Sequence, residues 1–511
     1  MDEGQAGDNC GCLLRGIDAS PCEIEVDIDP RAMQKQTTVG LPDAAVKESM
    51  QRVEAALGNA GYPFPQGKAV INLAPADVRK EGPLYDLPIA IGLLAAQGVI
   101  HNNNDGLDHR ACIFVGELAL DGRVRPVRGV IAMAAMAKQR GMNAFVCPLD
   151  NAPEAAVVEG IDVFGVATLT EVMGLLSGEI APEPEPTPDV AHMLQTAEAP
   201  IDFAEVRGQE GVKRAIVVAA AGSHNLVMLG PAGTGKTMMA KALPGVLPPR
   251  TSDAAIEITR IRSAAGLLDP GQPLVTRRPV RTPHHTASAP AIVGGGIIPR
   301  AGEISLAHKG VLFLDELPEF SRNVLETLRQ PMEDHVVTIA RAHGTVRFPA
   351  SFMLVAAMNP TPKGDVSPGE VGRREMEQYL ARLSGPLLDR IDIHVEAPAV
   401  PFNELADIPR GTDTTTMREQ AAAARLRMTE RQGENTPNAR LSGKQLDEYA
   451  TISERALALL EQAITGLGLS ARAYDKIRRL ARTIADLDGK ESLDEAHIAE
   501  AVQYRLLDRK V

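Results

Sequence analysis

The segment with the clearest chemical signature is a glycine-rich loop at residues 230–237, with the sequence GPAGTGKT. It fits the pattern G-x-x-x-x-G-K-[S/T], and it follows a predicted strand and precedes a predicted helix, which is the context that phosphate binding needs. Gly233 and Gly235 let the backbone curl so that amide N–H groups point at phosphate oxygens. Lys236 brings a compact charge to the β- and γ-phosphates, and the Thr237 hydroxyl is a ligand for Mg²⁺.

A second segment supplies the acids that hydrolysis requires. Residues 310–317, GVLFLDEL, are an apolar run that ends in two carboxylates. Asp315 is predicted to hold Mg²⁺ through its hydration shell, and Glu316 to polarise the attacking water as a general base. The next apolar run, SFMLVAAMNP, ends at Asn359, whose amide is predicted to orient that water. A solvated acid pair and a turn asparagine are the alternative roles.

The predicted ligand set is therefore a nucleoside triphosphate with Mg²⁺. The residues expected to bind it are Gly230, Pro231, Ala232, Gly233, Thr234, Gly235, Lys236, Thr237 and Asp315, with Thr237 and Asp315 on the metal.

These motifs need strands to position them. Apolar runs at NLVMLG, at 311–314 and at 352–357 are expected of buried parallel strands. In the first part of the chain, runs typical of strands (23–28, 69–73, 111–115, 144–147) alternate with helical ones (43–57, 87–96, 130–139), which indicates an α/β domain. Helical patterns at 453–465, 471–487 and 492–507 predict a helical lid, with an N-cap at Ser470 and a capping box of Ser492 and Glu495.

Composition divides the chain at a segment rich in Pro and Glu. Residues 177–200 favour an extended linker, since alternating Pro and Glu cannot form a core. The predicted organisation is an α/β domain at 1–176, the linker at 177–200, a P-loop α/β core at 201–400 and the helical lid at 401–511.

Charge and residue usage exclude some classes of protein. The formal net charge of −13 and an aromatic content of 3%, with no Trp, argue against a protein that coats DNA or stacks on single strands through aromatic platforms. Five cysteines in the first 150 residues are expected to be reduced thiols. The start of the chain is acidic and polar, and no apolar run is long enough to span a membrane, so a cytoplasmic protein is expected.

Two basic segments are the candidates for DNA contact. The first, RTPHHTASAPAIVGGGIIPR at 281–300, lies in a run without acids from 270 to 302; chance alone gives about one such run, so its position between the P-loop and the acid pair carries the argument. The second, VVTIARAHGTVRF, is predicted to be a hairpin with His343-Gly344 at its turn. The candidate residues are Arg281, Arg300, Arg341 and Arg347. Ordinary packing loops are the alternative, and adjacent His284 and His285 are not expected to chelate a metal.

The order P-loop, Asp-Glu pair, strand-end Asn and helical lid resembles the AAA+ ATPases, which assemble as rings. In LSGPLLDRID, Arg390 is similar to the arginine finger of the magnesium-chelatase-type subgroup, which reaches a neighbour's nucleotide. In LSARAYDKIRR, Arg472 matches that subgroup's second sensor. A surface salt bridge is the alternative role for either arginine.

Four segments together, DFAEVRGQE, GEISLAHKGVLFLDELPEF, AAMNP and RLSGPLLDRIDIHVE, make the chain similar to the magnesium-chelatase-like ComM (YifB) family from roughly residue 13 to 508. The resemblance implies a hexameric AAA+ ATPase that drives DNA branch migration in natural transformation, binding branched or single-stranded DNA without sequence preference. The family's cysteine-rich stretch after Asn-Pro is missing between residues 360 and 380, so no zinc site is expected there.

The first part of the chain resembles a Lon-type peptidase domain in KEGPLYDLPIAIGLLAA and VGELALDGRVRPVRGV. In that domain a serine and a lysine form the catalytic pair, whereas here the corresponding positions are Leu84 and, approximately, Ile131. Proteolysis is therefore not expected. The acid-free run at 122–149 is a further surface that could face phosphate; its basic residues are Arg123, Arg125, Arg128, Lys138 and Arg140.

Two other functions stay open. A magnesium chelatase proper uses a similar ATPase to load Mg²⁺ into a porphyrin, although that subunit lacks the Lon-like domain. A chaperone-like ring that remodels protein partners is the third possibility.

Overall fold

The structure is a computed structural model of the chain. It describes residues 5–100, 106–195, 201–296, 298–341, 344–361, 379, 381–399, 411–434, 436–505 and 507. The predictions for His343, for nearly all of the cysteine-free stretch 360–380 and for the first residues of the lid, 401–410, lie outside these residues.

The strands are β1 (Gln5–Arg15), β2 (Asp18–Asp29), β3 (Lys35–Val39), β4 (Lys68–Ala74), β5 (Cys112–Phe114), β6 (Glu117–Leu118), β7 (Val124–Arg125), β8 (Ala144–Pro148), β9 (Asp162–Val166), β10 (Leu226–Leu229), β11 (Val280–Arg281), β12 (Gly294–Gly295), β13 (Arg300–Ala301), β14 (Val311–Leu314), β15 (Val336–Arg341), β16 (Gly344–Pro349), β17 (Met353–Met358) and β18 (Ile393–Glu396).

The α-helices are α1 (Ala44–Asn59), α2 (Asp86–Ala96), α3 (Val130–Gln139), α4 (Ala152–Ala155), α5 (Leu169–Ser177), α6 (Val190–Gln195), α7 (Glu210–Gly222), α8 (Lys236–Ala242), α9 (Ser252–Ala265), α10 (Ala289–Val293), α11 (Glu303–Leu306), α12 (Arg322–Thr327), α13 (Arg329–Asp334), α14 (Gly385–Leu388), α15 (Thr414–Gln432), α16 (Gly443–Tyr449), α17 (Glu454–Leu467), α18 (Ala471–Leu487) and α19 (Glu495–Gln503). Short 3₁₀ turns cover Pro83–Tyr85, His109–Ala111, Leu149–Asn151, Phe203–Glu205, Leu243–Gly245, Leu317–Glu319 and Asn438–Arg440.

The chain forms two compact units. Unit 1 comprises Met1–Met193 and Ser252–Thr276, and unit 2 comprises Leu194–Thr251 and Arg277–Val511. Unit 1 is built on a seven-stranded mixed sheet in the order β3-β4-β2-β1-β5-β8-β9. Side chains alternate between buried and exposed along β2, as expected of a strand with one covered face. Helix α2 is buried on all sides, which accounts for its almost wholly apolar sequence.

Helix α9 belongs to unit 1, although the predicted P-loop core at 201–400 contains its sequence. Its buried face includes Ile258 and Ile261, and the helix packs on α3. Ser263 Oγ accepts a hydrogen bond of 2.9 Å from the backbone N–H of Gly129. Dividing the sequence into consecutive domains cannot reveal this, because the periodicity of an amphipathic helix does not show which element the helix packs against.

The basic run at 122–149 in unit 1 is partly neutralised within the chain. Arg123 pairs with Asp121 at 2.8 Å and Arg125 with Glu117 at 3.4 Å. Both acids lie just before the run, so the composition of the run alone does not reveal them. The Lon-type positions are apolar and buried: Leu84 is 9% exposed and Ile131 is 0% exposed.

Unit 2 is built on a five-stranded sheet in the order β11-β14-β17-β10-β18, with all neighbouring strands parallel. The predicted lid helices share one hydrophobic core with this sheet and with α7, and so belong to the same unit. Ser470 caps α18 as predicted. The capping box before α19 was predicted wrongly, since it consists of Asp494 and His497 and not of Ser492 and Glu495.

The five cysteines, all of them within the described residues, are free thiols. Burial raises the pKa of Cys22 and of Cys112 to about 12 each. Within the described parts of the chain, no helix combines the length and the apolar character needed to cross a membrane, and no group of three or more metal-binding side chains is found.

Candidate functional site

The predicted phosphate-binding loop connects β10 to α8, and it lies at the carboxyl edge of the five-stranded sheet. Leu229, the last residue of β10, is level with Met358 at the end of β17. Asn359 therefore emerges beside Gly230, and Asp315 follows β14 on the other side of β17. Gly233 and Gly235 have φ values of 80° and 83°, a region that strongly favours glycine.

Lys236 is the central cation of the loop. Its ammonium group donates to the carbonyl oxygens of Gly230 at 2.6 Å and Pro231 at 2.7 Å, and to Oδ1 of Asn359 at 3.2 Å. Burial lowers its pKa, while the negative charge of Asp315 acts in the opposite direction. The Lys236 side chain thus contacts the loop and the end of β17 and is influenced by the charge of Asp315. It must give up some of its hydrogen bonds when it binds a phosphate.

Thr237 and Asp315 fit a magnesium ion. The Thr237 hydroxyl donates to Oδ2 of Asp315 at 2.8 Å, so a hydroxyl and a carboxylate oxygen lie side by side. Hydroxyl, carboxylate, water and phosphate oxygens are the ligands that Mg²⁺ takes in nucleotide sites. These two residues would hold the ion.

Glu316, the predicted general base, is contacted by a histidine that the sequence analysis did not assign to the site. Oε2 of Glu316 lies 3.3 Å from Nδ1 of His285. The backbone of Glu316 is in the left-handed region at φ 51°, a conformation that costs roughly 1–3 kcal/mol and is often found at functional sites. His285 also stacks against His284, with ring centroids 4.1 Å apart, and meets the edge of Phe320.

The position of His285 could have been a signal. It lies four residues beyond β11, and so at the same carboxyl edge as the P-loop and the acid pair. The sequence predicts only that the adjacent histidines do not chelate a metal, because no third ligand is expected nearby. A contact with a carboxylate 31 residues later is not visible in sequence spacing.

Arg390 and Arg472 are brought together, and they lie away from the P-loop of their own chain. The backbone carbonyl of Arg390 accepts from Asn225 Nδ2 at 3.0 Å, and Asn225 immediately precedes β10 at the amino edge of the sheet. The Arg390 guanidinium pairs with Glu333 at 2.5 Å. Arg472 is 73% exposed and pairs with Asp389, the residue before Arg390, at 3.1 Å.

The two basic segments form neighbouring hairpins. In the first, Gly294 and Gly295 pair with Ala301 and Arg300. In the second, β15 pairs with β16 along six residues each, which confirms the predicted hairpin; Gly344, which was expected at the turn, instead begins β16 opposite Arg341. Arg341 Nε donates to the Gly296 carbonyl at 3.3 Å, which joins the hairpins.

The four candidate arginines for DNA contact differ in their surroundings. Arg300, Arg341 and Arg347 are exposed. Arg281 lies in β11, and its guanidinium makes two hydrogen bonds with the Glu303 carboxylate, at 2.6 and 2.8 Å. Its charge is therefore neutralised within the chain. The partner, Glu303, is the first residue after the acid-free run, so the composition of the run does not show it.

We expect His285→Ala to lower the kcat for ATP hydrolysis by about fivefold with little change in KM, because a close contact between partly exposed groups of this kind is worth up to about 1 kcal/mol. Steady-state ATPase assays measure both constants. His284→Ala is the comparison variant: it removes the ring that stacks on His285 but keeps the imidazole beside Glu316, so it should change kcat less. An unchanged kcat for His285→Ala would mean that the contact does not position Glu316.

In a comparison with known protein families, three segments of the chain match the magnesium-chelatase family. Residues 202–405 match "Magnesium chelatase, subunit ChlI", residues 24–151 match "Subunit ChlI of Mg-chelatase" and residues 411–505 match "Magnesium chelatase, subunit ChlI C-terminal". The matches thus cover much of the chain on both sides of the Pro/Glu segment.

Similar proteins extend over almost the full length. The uncharacterized protein YifB of Salmonella typhimurium is 43% identical over 498 residues, covering 97% of this chain and 96% of the relative. Competence protein ComM of Haemophilus influenzae is 42% identical over 504 residues, with 97% and 96% covered. YifB of Escherichia coli is 43% identical over 499 residues, again with 97% and 96% covered. Because this identity spans nearly all of both chains, the protein belongs to the magnesium-chelatase-like ComM/YifB family.

Proposed function

We propose that this protein is a cytoplasmic AAA+ ATPase that assembles into a ring, a hexamer by analogy with its family, and moves on DNA. The observation that carries the ATPase part is the convergence of Lys236, Thr237, Asp315 and Asn359 at the carboxyl edge of one parallel sheet. Ligands of open α/β sheets bind at this edge.

Each residue has a role in hydrolysis. The amides of the loop and the ammonium of Lys236 hold the phosphates. Thr237 and Asp315 would hold a Mg²⁺ ion, which when bound would neutralise charge on the phosphate oxygens. Glu316 accepts a proton from the attacking water, and Asn359 orients that water. Asn359 already bonds to Lys236, so movement of the ammonium towards a phosphate would release its amide for the water.

The position of Arg390 supports the proposal that the protein forms a ring. Four residues of β10 separate the amino edge from the P-loop, which at about 3.3 Å per residue is roughly 13 Å. At the amino edge, Arg390 is held by Asn225 and Glu333. If Arg390 stabilises charge at a nucleotide, that nucleotide belongs to another copy. Asp389 holds Arg472 beside Arg390, so any nucleotide that Arg472 contacts would also belong to another copy.

DNA is the proposed partner because the exposed arginines lie on two joined hairpins. Arg300, Arg341 and Arg347 would repeat around a ring as a positive lining inside an acidic protein. Such backbone contact is independent of sequence and sensitive to salt. The name of the Haemophilus relative, competence protein ComM, supports a role in the recombination of incoming DNA during natural transformation, by branch migration or unwinding.

A metal-insertion motor is the alternative that the match to magnesium chelatase favours. A labelled Holliday junction incubated with ATP separates the two. Absence of junction processing, with an ATPase rate that no DNA changes, would contradict the DNA-motor proposal.

We expect Lys236→Ala to abolish ATP binding and Glu316→Gln to retain binding while stopping turnover. The first removes the cation that meets the phosphates, and the second removes the proton acceptor without changing its size. Equilibrium binding of a fluorescent ATP analogue and steady-state phosphate release measure the two effects. Normal turnover in Glu316→Gln would show that another group is the base.

We expect Arg390→Ala and Lys236→Ala chains to be inactive separately and to regain ATPase activity when mixed. In a mixed ring, the intact P-loop of the first chain meets the intact Arg390 of the second across a head-to-tail interface. The control is a mixture of Arg390→Ala with a chain that carries both Arg390→Ala and Lys236→Ala. No interface in that mixture combines an intact P-loop with an intact Arg390. If the mixture stays as inactive as its components, Arg390 does not act between subunits.

We expect Arg300→Ala combined with Arg347→Ala to weaken DNA binding and to reduce the slope of log K against log salt by about 0.7–0.9 for each DNA phosphate that the protein no longer neutralises. Fluorescence anisotropy of a labelled junction over a salt series measures this slope. Arg281→Ala is the comparison: because Arg281 pairs with Glu303, it should lower thermal stability and leave the slope unchanged. An unaltered slope in the double variant would assign the hairpins to packing.

A further inference from the structure

A second group of cations lies at the amino edge of the five-stranded sheet, opposite the P-loop. We call Arg278, Arg425 and Arg440 the amino-edge cluster. Arg278 is two residues before β11, and Arg425 contacts the segment that leads into β10. Arg440 contacts Ser351, two residues before β17. All three residues are half-buried.

The contacts of the cluster are with neutral oxygen atoms. Arg278 Nη1 donates to the Lys309 carbonyl at 2.8 Å, and its Nη2 donates to the Pro248 carbonyl. Arg425 donates to the carbonyl of Ala221 at 2.9 Å and to Ser223 Oγ at 2.7 Å. These bonds hold each guanidinium in place without cancelling its charge.

Arg440 connects the cluster to the neighbouring strands. Its Nη2 donates to Ser351 Oγ at 2.6 Å, and the carbonyl of Ser351 accepts from the backbone N–H of Lys309 at 2.6 Å. Since Arg278 bonds to the carbonyl of that same Lys309, Arg278 and Arg440 lie around one short stretch of backbone.

Neighbouring cations add to the effect of burial on the pKa values of Arg278 and Arg425. Burial lowers the pKa of Arg278 to about 9, with further contributions from Arg250 and Arg425. Burial also lowers the pKa of Arg425 to about 10, helped by Arg440. Each guanidinium is still charged at neutral pH, so the edge carries like charges that repel one another.

A histidine beside the cluster has a free bonding position. Nδ1 of His335 is buried and has no hydrogen-bond partner among the described residues. Burial, followed by Arg440 and Lys309, lowers its pKa to about 4, so the ring is neutral at pH 7. The adjacent acid, Asp334, accepts a bond from Gln330 at 3.1 Å.

We propose that the amino-edge cluster, with His335 beside it, is a binding site for a phosphate group, separate from the P-loop. A phosphate carries enough negative charge to offset several cations, and its oxygens match the fork of an arginine side chain. The guanidinium groups are anchored before the ligand arrives, which lowers the entropy cost of binding. A free phosphate or pyrophosphate and the backbone of a nucleic acid are the two sources of this group.

The test uses the full chain carrying Lys236→Ala, so that the P-loop makes the smallest contribution. Pyrophosphate is titrated by calorimetry in EDTA at constant ionic strength, and a single-stranded oligonucleotide is titrated separately by anisotropy. The added variants are Arg440→Gln, which keeps a donor for Ser351 but removes the charge, and Arg440→Lys, which keeps the charge. Arg455→Gln, at an exposed position on α17, is the matched control.

We expect saturable binding in the parent and in Arg455→Gln, about tenfold weaker binding in Arg440→Gln, and an intermediate affinity in Arg440→Lys. If Arg440→Gln lowers the affinity for pyrophosphate alone, the source of the phosphate is a small anion. If it lowers the affinity for the oligonucleotide, the source is a nucleic acid backbone. Parental affinity in Arg440→Gln for both probes, or no saturable binding in the parent, overturns the proposal.

If Arg440→Gln is unstable, a shift in thermal unfolding decides the case. Pyrophosphate should raise the Tm of the Lys236→Ala parent more than chloride of equal ionic strength, and the rise should be smaller in Arg440→Lys. Equal rises with pyrophosphate and chloride count against the site. Since Lys236→Ala is present throughout, the result does not depend on whether the P-loop binds ATP.

Discussion

The bond between Lys236 and Asn359 joins two strands of the sheet at the point where their chemistry is required. It depends on β10 and β17 being parallel neighbours that end at the same level. An antiparallel arrangement would place these two strand ends at opposite edges of the sheet. The order β11-β14-β17-β10-β18 is therefore what places a phosphate-binding loop, a metal-binding pair and a water-orienting amide within reach of one another.

The same parallel sheet gives unit 2 two chemically different edges. The carboxyl edge holds the P-loop, the acid pair and His285. The amino edge holds Arg390 through Asn225 and, further along, the amino-edge cluster. Within one chain these groups cannot meet, because the length of the strands lies between them. A head-to-tail assembly would bring one edge against the other and so combine groups that each subunit has only apart.

The sequence predicted the local features of the site and missed the long-range ones. The P-loop, the strand before it and the acid pair are contiguous patterns, so their positions follow from periodicity and spacing. The contact of His285 with Glu316 and the pair of Arg281 with Glu303 join separate segments, and single-sequence patterns do not show such partners. Strand β1 was missed for a similar reason: its residues are not a continuous apolar run, and it is defined by its pairing with β2. The error at the start of α19 has a local cause, since Asp494 competes with Ser492 for the role of N-cap.

Helix α9 affects how the two units are connected. The chain passes from unit 1 to unit 2 near residue 193, returns to unit 1 at residue 252 and enters unit 2 again at residue 277. The units are thus joined by three covalent crossings. Proteolytic cleavage in the Pro/Glu segment would divide the chain into two polypeptides, held together only by non-covalent packing such as that of α9 on α3. A fragment that begins at residue 201 would retain α9 without the helix α3 on which it packs, and the apolar face of α9 would then be exposed to aggregation.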